Sequence, residues 1–397
     1  GFLALRLVSL TSSLVAMAML ARLVIAQTRD RSAGAVAAGL FAATYGLSGY
    51  WFDVGRLDSL FLALTLAALA YGASARGVRG GALLGLLAFL AFFTKQTALI
   101  ALVPALGWLA LRRRPVGLTA LLVLGALVLA STLLLDALSG GWYRYYVVSE
   151  LAGQPWVQAE WLGFWRHDLF SHLWPLCILV LAAGATYRGR MASLGYPLAG
   201  AGGLLIGAWF SRLHTGGYLN VLMPAYAACA LLAGLAYAQL RRRGPVAALV
   251  AAAAVVAQLL MLAYPIGAQI PSHADRVAGA ELLARLRKLP GPVLVLRHPW
   301  YGTLAGKGSF AQADGIDEVL RSQAPRGLRV LRASLPHALD QDHIQAVVLD
   351  TAPPWWLAPQ LRREFRLLPG TATRTPLEPL TDLRSSPTRV YVRRSGA

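Results

Sequence analysis

Asp53, Arg56 and Asp58 fall within one short stretch, Phe52-Asp53-Val54-Gly55-Arg56-Leu57-Asp58. Paired carboxylates can hold a divalent cation or accept hydrogen bonds from a sugar hydroxyl, and a guanidinium between them suits phosphate. A plainer role is open to the same residues. Asp58 in the first turn of a helix is favoured by the helix dipole, and Asp53 with Arg56 could form a local ion pair. The setting gives the chemical reading its weight. The stretch lies between the apolar runs Ala33–Trp51 and Leu57–Ala73, each greasy enough to enter a bilayer. Ionisable groups at such positions are functional candidates.

Further polar groups share this pattern. Lys95 and Gln96 separate two apolar runs, and Arg212, His214, Tyr218 and Asn220 separate two more. Lys95 could snorkel to the headgroups from a membrane boundary. Together with Arg212 and His214 it would also give cations beside lipid headgroups, which suits a phosphate or pyrophosphate on a lipid carrier. The segment 139–170 adds Trp142, Tyr143, Tyr145, Tyr146, Trp156, Trp161, Phe164 and Trp165. Such aromatics fit an interfacial belt as well as a substrate-binding surface.

The elements that must position these groups are membrane helices. Of 397 residues, 57% are hydrophobic and 14% charged, with mean hydropathy +0.54. Windows of roughly 20 apolar residues recur, the length needed to span a bilayer core of about 30 Å. About ten spans can be drawn: Leu3–Ala26, Ala33–Trp51, Leu57–Ala73, Gly81–Thr94, Thr97–Leu111, Val116–Leu138, Ser171–Thr186, Ser193–Phe210, Tyr218–Leu240 and Val246–Pro265. The fourth and fifth are short and read either as a tight hairpin or as one bent helix.

Arginines mark alternate loops: Arg29 and Arg31, Arg76 and Arg79, Arg112-Arg113-Arg114, Arg188 and Arg190, and Arg241-Arg242-Arg243. The positive-inside rule assigns these loops to the cytoplasm. Asp53, Arg56, Asp58, Lys95, Gln96, Arg212, His214, Tyr218 and Asn220 then all face outward, as does everything after the last span. The formal charge of +19 is thereby read as a topology signal, not a nucleic-acid footprint. Cys177 and Cys229 lie inside apolar runs and read as small buried hydrophobes. The chain opens at Gly1 in mid-pattern, which predicts at least one further helix upstream.

Apolarity falls after about Ile270. The sequence predicts a membrane domain over 1–268 and an extracytoplasmic α/β domain over 269–397. In the latter, 274–289 has helical spacing, 292–296 and 344–349 are β-type runs, 315–322 is helical between them, and 390–392 suits a last strand. Gly302-Thr303-Leu304-Ala305-Gly306-Lys307 lacks the spacing of a phosphate-binding loop.

Three stretches carry a family resemblance. Tyr50–Leu66 resembles the outer-face motif of GT-C glycosyltransferases, specifically the bacterial protein-mannosyltransferase and aminoarabinose-transferase-like group. Phe92–Leu99, with Thr94-Lys95-Gln96, resembles a turn of the same group, and Arg212–Ala225 resembles its late helix start. They occur in order over the first two-thirds of the chain. The resemblance implies a polytopic α-helical fold and transfer of a sugar from a polyprenyl-phosphate carrier to an acceptor outside the bacterial inner membrane. It implies Asp53 and Asp58 as catalytic carboxylates with Arg56 on the same rim. It puts Lys95, Gln96, Arg212, His214, Tyr218 and Asn220 on the substrate, and it leaves a divalent cation open. The group's principal acid lies in its first outer loop, and this chain begins after that point of the pattern. The other readings are a transporter or flippase for a lipid-linked saccharide, and an inactive scaffold. No acidic residue sits in mid-span, which disfavours proton-coupled transport.

Overall fold

The computed structural model describes residues 2–187, 191–370, 377–378, 380 and 385–394. The chain divides into two compact units. One comprises 1–140 and 156–264, the other 141–155 and 265–397. The sequence reading gave 141–155 to the membrane domain. In the structure these residues belong to the second unit, where Ser322 Oγ donates to the Glu150 carbonyl at 3.0 Å and the Gln323 N–H donates to Gly153 O at 3.0 Å.

The first unit is a bundle of apolar helices. It begins with α1 (Phe2–Thr28), α2 (Arg31–Ala43), α3 (Asp58–Ser74), α4 (Gly77–Thr94), α5 (Ala98–Arg112) and α6 (Arg114–Leu138). It continues with the helices Glu160–Thr186, Met191–Arg212, Met223–Arg241 and Pro245–Met261. Among the described residues five helices are long and apolar enough to cross a membrane, or six if Pro245–Met261 with Ile266–Lys288 counts as one broken span. The structure describes a multi-pass membrane fold, with fewer full-length spans than the ten drawn from sequence.

Two boundaries move, each for a local reason. The expected span Ala33–Trp51 is helical only to Ala43. Gly49 and Tyr50 then adopt left-handed backbone (φ 64° each), and a single 3-10 turn carries Trp51–Asp53. Only glycine takes such a conformation without steric cost. At the other boundary, the expected loop 139–170 is already helical from Glu160. This helix is π-wound over Phe164–Phe170 and kinks at Leu173, just before Pro175. Proline lacks the N–H that would continue the ladder, so the turn opens. Beside this kink the His172 carbonyl accepts from Gln258 Nε2 at 2.8 Å, a side chain with no solvent exposure.

Small residues set a close contact between α4 and α6. A Cβ on Gly81 would lie 2.6 Å from the Val116 carbonyl, and one on Gly85 2.7 Å from the Ala120 carbonyl. The Gly81-x-x-x-Gly85 spacing puts both on one face of α4, so the α4 and α6 backbones approach directly. Lys95 and Gln96 form a turn between two separate helices, α4 and α5, which settles the hairpin alternative.

The second unit holds a four-stranded mixed sheet ordered β1-β2-β4-β3. Its strands are β1 (Val293–Val295), β2 (Ala346–Leu349), β3 (Phe365–Leu367) and β4 (Arg389–Arg393). β1 and β2 are parallel and β4 runs against both its neighbours. β1 and β2 are buried on both faces, as their unbroken Val/Leu/Ala runs require. Helix His273–Lys288 starts with a capping box between Ser272 and Asp275. Lys307 is tied to the Leu289 carbonyl at 2.5 Å, so the Gly302–Lys307 segment is a structural turn.

Candidate functional site

Most of the polar groups singled out from sequence gather at one end of the first unit. The C-terminal end of α4, the N-terminal ends of α3 and α5, and the chain before Met223 all meet there. The opposite end carries the arginine loops, of which Arg188 and Arg190 lie outside the described residues. There Arg241 pairs with Asp30 at 3.3 Å, Arg242 donates to the Thr28 carbonyl, and Arg113 donates to the Ala73 carbonyl at 2.9 Å. Asp30 also caps α2 through the N–H groups of Ser32 and Ala33.

Asp58 is the centre of the first cluster. Its side chain is 5% exposed in the first turn of α3. Oδ1 accepts from Lys95 Nζ at 2.7 Å and from Asn220 Nδ2 at 3.0 Å. Oδ2 makes no hydrogen bond, and its nearest cation is Arg56 Nε at 3.7 Å. Arg56 itself is 59% exposed and lies over the Trp51 ring, 5.0 Å from its centroid. One carboxylate therefore sits beside two cations and leaves the cluster with one net positive charge at an open edge. A narrow cleft lined by Asp58, Lys95, Thr97, Ser211 and Asn220 opens beside it, with space of about 10 Å³, roughly enough for one water. An unpaired carboxylate oxygen facing little water is costly unless a ligand or water supplies a donor.

Asp53 is held elsewhere. Its carboxylate pairs with Arg6, and Tyr45 Oη donates to its Oδ1 at 2.8 Å. The local Asp53–Arg56 pair considered from sequence is replaced by two separate pairs, Asp53–Arg6 and Asp58–Arg56. Asp53 closes the 3-10 turn Trp51–Asp53, and Val54 and Gly55 separate it from Arg56, so the two side chains take different partners. Sequence reasoning passed over Arg6. An arginine a turn and a half into an apolar run was the available signal.

Arg212 forms a second cluster. Its Nε donates to Asp168 Oδ2 at 2.8 Å, Nη1 to the Gly217 carbonyl at 2.6 Å, and Nη2 lies 3.3 Å from Glu160 Oε1. Asp168 and Glu160, both overlooked in the sequence, compensate its charge. The expectation of Arg212 as an open phosphate cation thus meets a saturated side chain. The overlooked carboxylates lay in the stretch read as loop, and only the π-wound helix brings them to Arg212. Next to this cluster, Trp156 bridges His214 through the backbone, and the rings of the two residues are 4.5 Å apart. His214 Nδ1 faces the Phe210 carbonyl at 3.0 Å. Tyr218 is 43% exposed. Gln96 lies in the turn after α4, its carbonyl accepting from the Leu99 N–H at 3.1 Å.

The structure thus brings Asp58, Arg56, Lys95 and Asn220 together, and joins Arg212 to Asp168 and Glu160. Among the described residues no group of three or more His, Cys, Asp or Glu comes close enough to hold a metal ion.

No family model and no curated protein sequence matches the chain. Among solved structures, the chain is similar to ArnT from Cupriavidus metallidurans, crystallised with undecaprenyl phosphate bound. The TM-score is 0.55 at 15% identity, covering 98% of this chain and 83% of ArnT. At that identity the likeness shows the fold alone: the chain shares the fold of ArnT.

Proposed function

We propose that the chain is a membrane glycosyltransferase that moves a sugar from a polyprenyl-phosphate carrier to an acceptor on the extracytoplasmic face of the bacterial inner membrane. The observation that carries this reading is the buried Asp58 carboxylate, with one oxygen engaged by Lys95 and Asn220, the other without a hydrogen-bond partner, and the exposed Arg56 beside it. The shared fold with a protein that binds undecaprenyl phosphate supports the carrier class. The separation of this cluster from the arginine loops at the other bundle end supports an outward-facing site, given the positive-inside rule. A topology of about ten crossings, with the second unit outside, belongs to the same proposal.

In this reading the acceptor hydroxyl attacks the anomeric carbon as the bond to the carrier phosphate breaks. The hydroxyl proton passes to a carboxylate, and the departing phosphate keeps the bonding electron pair. Asp58, whose Oδ2 has no hydrogen-bond partner, is the first candidate for that carboxylate, with Asp53 as the second candidate on the rim. Arg56 and Lys95 stabilise the phosphate as its charge grows. Arg56 is the accessible cation. Lys95 serves both as the partner that keeps Asp58 charged and as a second phosphate contact at the cleft. Gln96, His214 and Tyr218 line the same bundle end as hydrogen-bonding groups for carrier or acceptor.

The test is a transfer assay with polyprenyl-phosphate sugars on the protein in nanodiscs. Asp58→Asn should lower kcat by at least about 100-fold, the span of a positioned general base. Arg56→Ala should chiefly raise KM for the carrier. Full turnover by folded Asp58→Asn protein would remove the site. Carrier translocation without sugar transfer would point to a flippase instead.

A further inference from the structure

We propose that the second unit contains its own binding site for a monosaccharide-sized, hydrogen-bond-donating, non-anionic ligand, at the carboxyl ends of the parallel strands β1 and β2. Ligands of parallel α/β sheets sit characteristically at that edge, where the chain leaves adjacent strands. Here β1 runs out into Leu296, Arg297 and His298, and β2 into Leu349, Asp350 and Thr351. A cavity of about 150 Å³ opens there, lined among others by Arg297, Asp317, Asp350 and Thr351. That is the liquid volume of about five waters, enough for one sugar ring and too small for a nucleotide.

The polar groups around it are incompletely used. Asp350 has a side chain only 2% exposed. Its Oδ2 is 2.8 Å from His298 Nε2, while its buried Oδ1 makes no hydrogen bond among the described residues. Thr388 fixes this residue's backbone from β4, its Oγ1 donating to the Asp350 carbonyl at 2.7 Å. On the facing helix, Ala313–Arg321, Asp317 Oδ1 accepts from Trp356 Nε1 at 3.1 Å. Asp317 is itself one of the residues lining the cavity. Arg297 is held toward Asp314 at 3.4 Å and is one-third exposed at the mouth. Two fixed carboxylates call for a ligand that donates. Among the described residues Asp314, Asp317 and Asp350 gather here with Arg297, an excess of negative charge that disfavours an anion. A buried carboxylate oxygen with no donor is costly to keep, and hydroxyl groups would satisfy it. This site shares no residue with the Asp58 cluster, and its ligand is read by binding, so it stands or falls apart from the transferase proposal.

The test uses the full chain in nanodiscs and three probes: methyl glucoside, glucosamine and glucuronate. Affinities are read by saturation-transfer NMR with competition. The neutral and amine-bearing sugars should bind saturably, and glucuronate at least about tenfold more weakly. Asp350→Asn and Asp317→Asn should each weaken glucoside binding about tenfold. Asp317 is half-buried, so its variant tests the site even if Asp350→Asn fails to fold. Equal affinity for all three sugars, no saturable binding, or unchanged binding in folded Asp317→Asn protein would overturn the proposal.

Discussion

Replacing Lys95 with methionine takes the nearest cation away from a carboxylate that is 5% exposed. The pair is 2.7 Å apart. At an effective dielectric of about 20 its gross attraction is about 6 kcal/mol. Much of that offsets the desolvation of both groups, so the net worth of the intact pair is small. Breaking it is another matter. Lys95→Met leaves Asp58 charged with only Asn220 and the distant Arg56, and loss of one partner from a buried pair costs about 3–5 kcal/mol. Removing both charges should restore much of this. Asp58→Leu with Lys95→Met is expected to be more stable than the sum of the single changes predicts, with a coupling of about 2–3 kcal/mol. The assay is equilibrium unfolding in detergent micelles, followed by near-ultraviolet circular dichroism, for wild type, both single variants and the double. Additivity within about 0.5 kcal/mol would refute the reasoning. It would mean that water reaches the pair and screens it, and the cleft would then lose its claim to be a low-dielectric site.

Four other outcomes are expected. Gly85→Val should destabilise the bundle by about 1–3 kcal/mol through overpacking against the Ala120 carbonyl, whereas Gly107→Ala, where an added Cβ meets nothing within 4 Å, should leave thermal unfolding unchanged. Asp30→Ala removes the cap of α2 and the partner of Arg241, and should cost about 1 kcal/mol in the same unfolding measurement. Burial alone would push the Asp350 carboxyl up, but the His298 hydrogen bond and the Arg297 charge outweigh it and hold the group below its ordinary value of 3.8. The folded state then binds this proton more weakly than the unfolded one. The stabilisation is full above about pH 4 and drains as pH falls through the lower native value. Protection factors of the β2 amides, corrected for the intrinsic exchange rate, should fall over that acid range, and Asp350→Asn should flatten the dependence. Finally, cysteines placed at 53 and 242 should react with impermeant reagents from opposite sides of sealed vesicles, and labelling of both from the same side would refute the proposed sidedness.

The membrane character, the chain order of the helices and the polar breaks at Asp53–Asp58, Lys95–Gln96 and Arg212–Asn220 were legible in the residues themselves. A bilayer demands long apolar runs, and a charge within or beside one stands out against them. The short strands at 293–295 and 346–349 could be read because unbroken Val/Leu/Ala runs bounded by turn residues have few other uses. β3 was missed, since Phe365-Arg366-Leu367 is three residues long with two of them exposed. Which charge meets which was beyond the sequence. Arg6 reaches Asp53 across 47 positions, Asn220 reaches Asp58 across 162, and Asp168 reaches Arg212 across 44. Such pairings depend on where helix ends converge after packing, and a left-handed turn or a π-wound segment redirects a side chain without any change in composition. Likewise, nothing in the order of residues announced that His298 and Asp350 would meet, because only the parallel alignment of β1 with β2 brings their ends side by side.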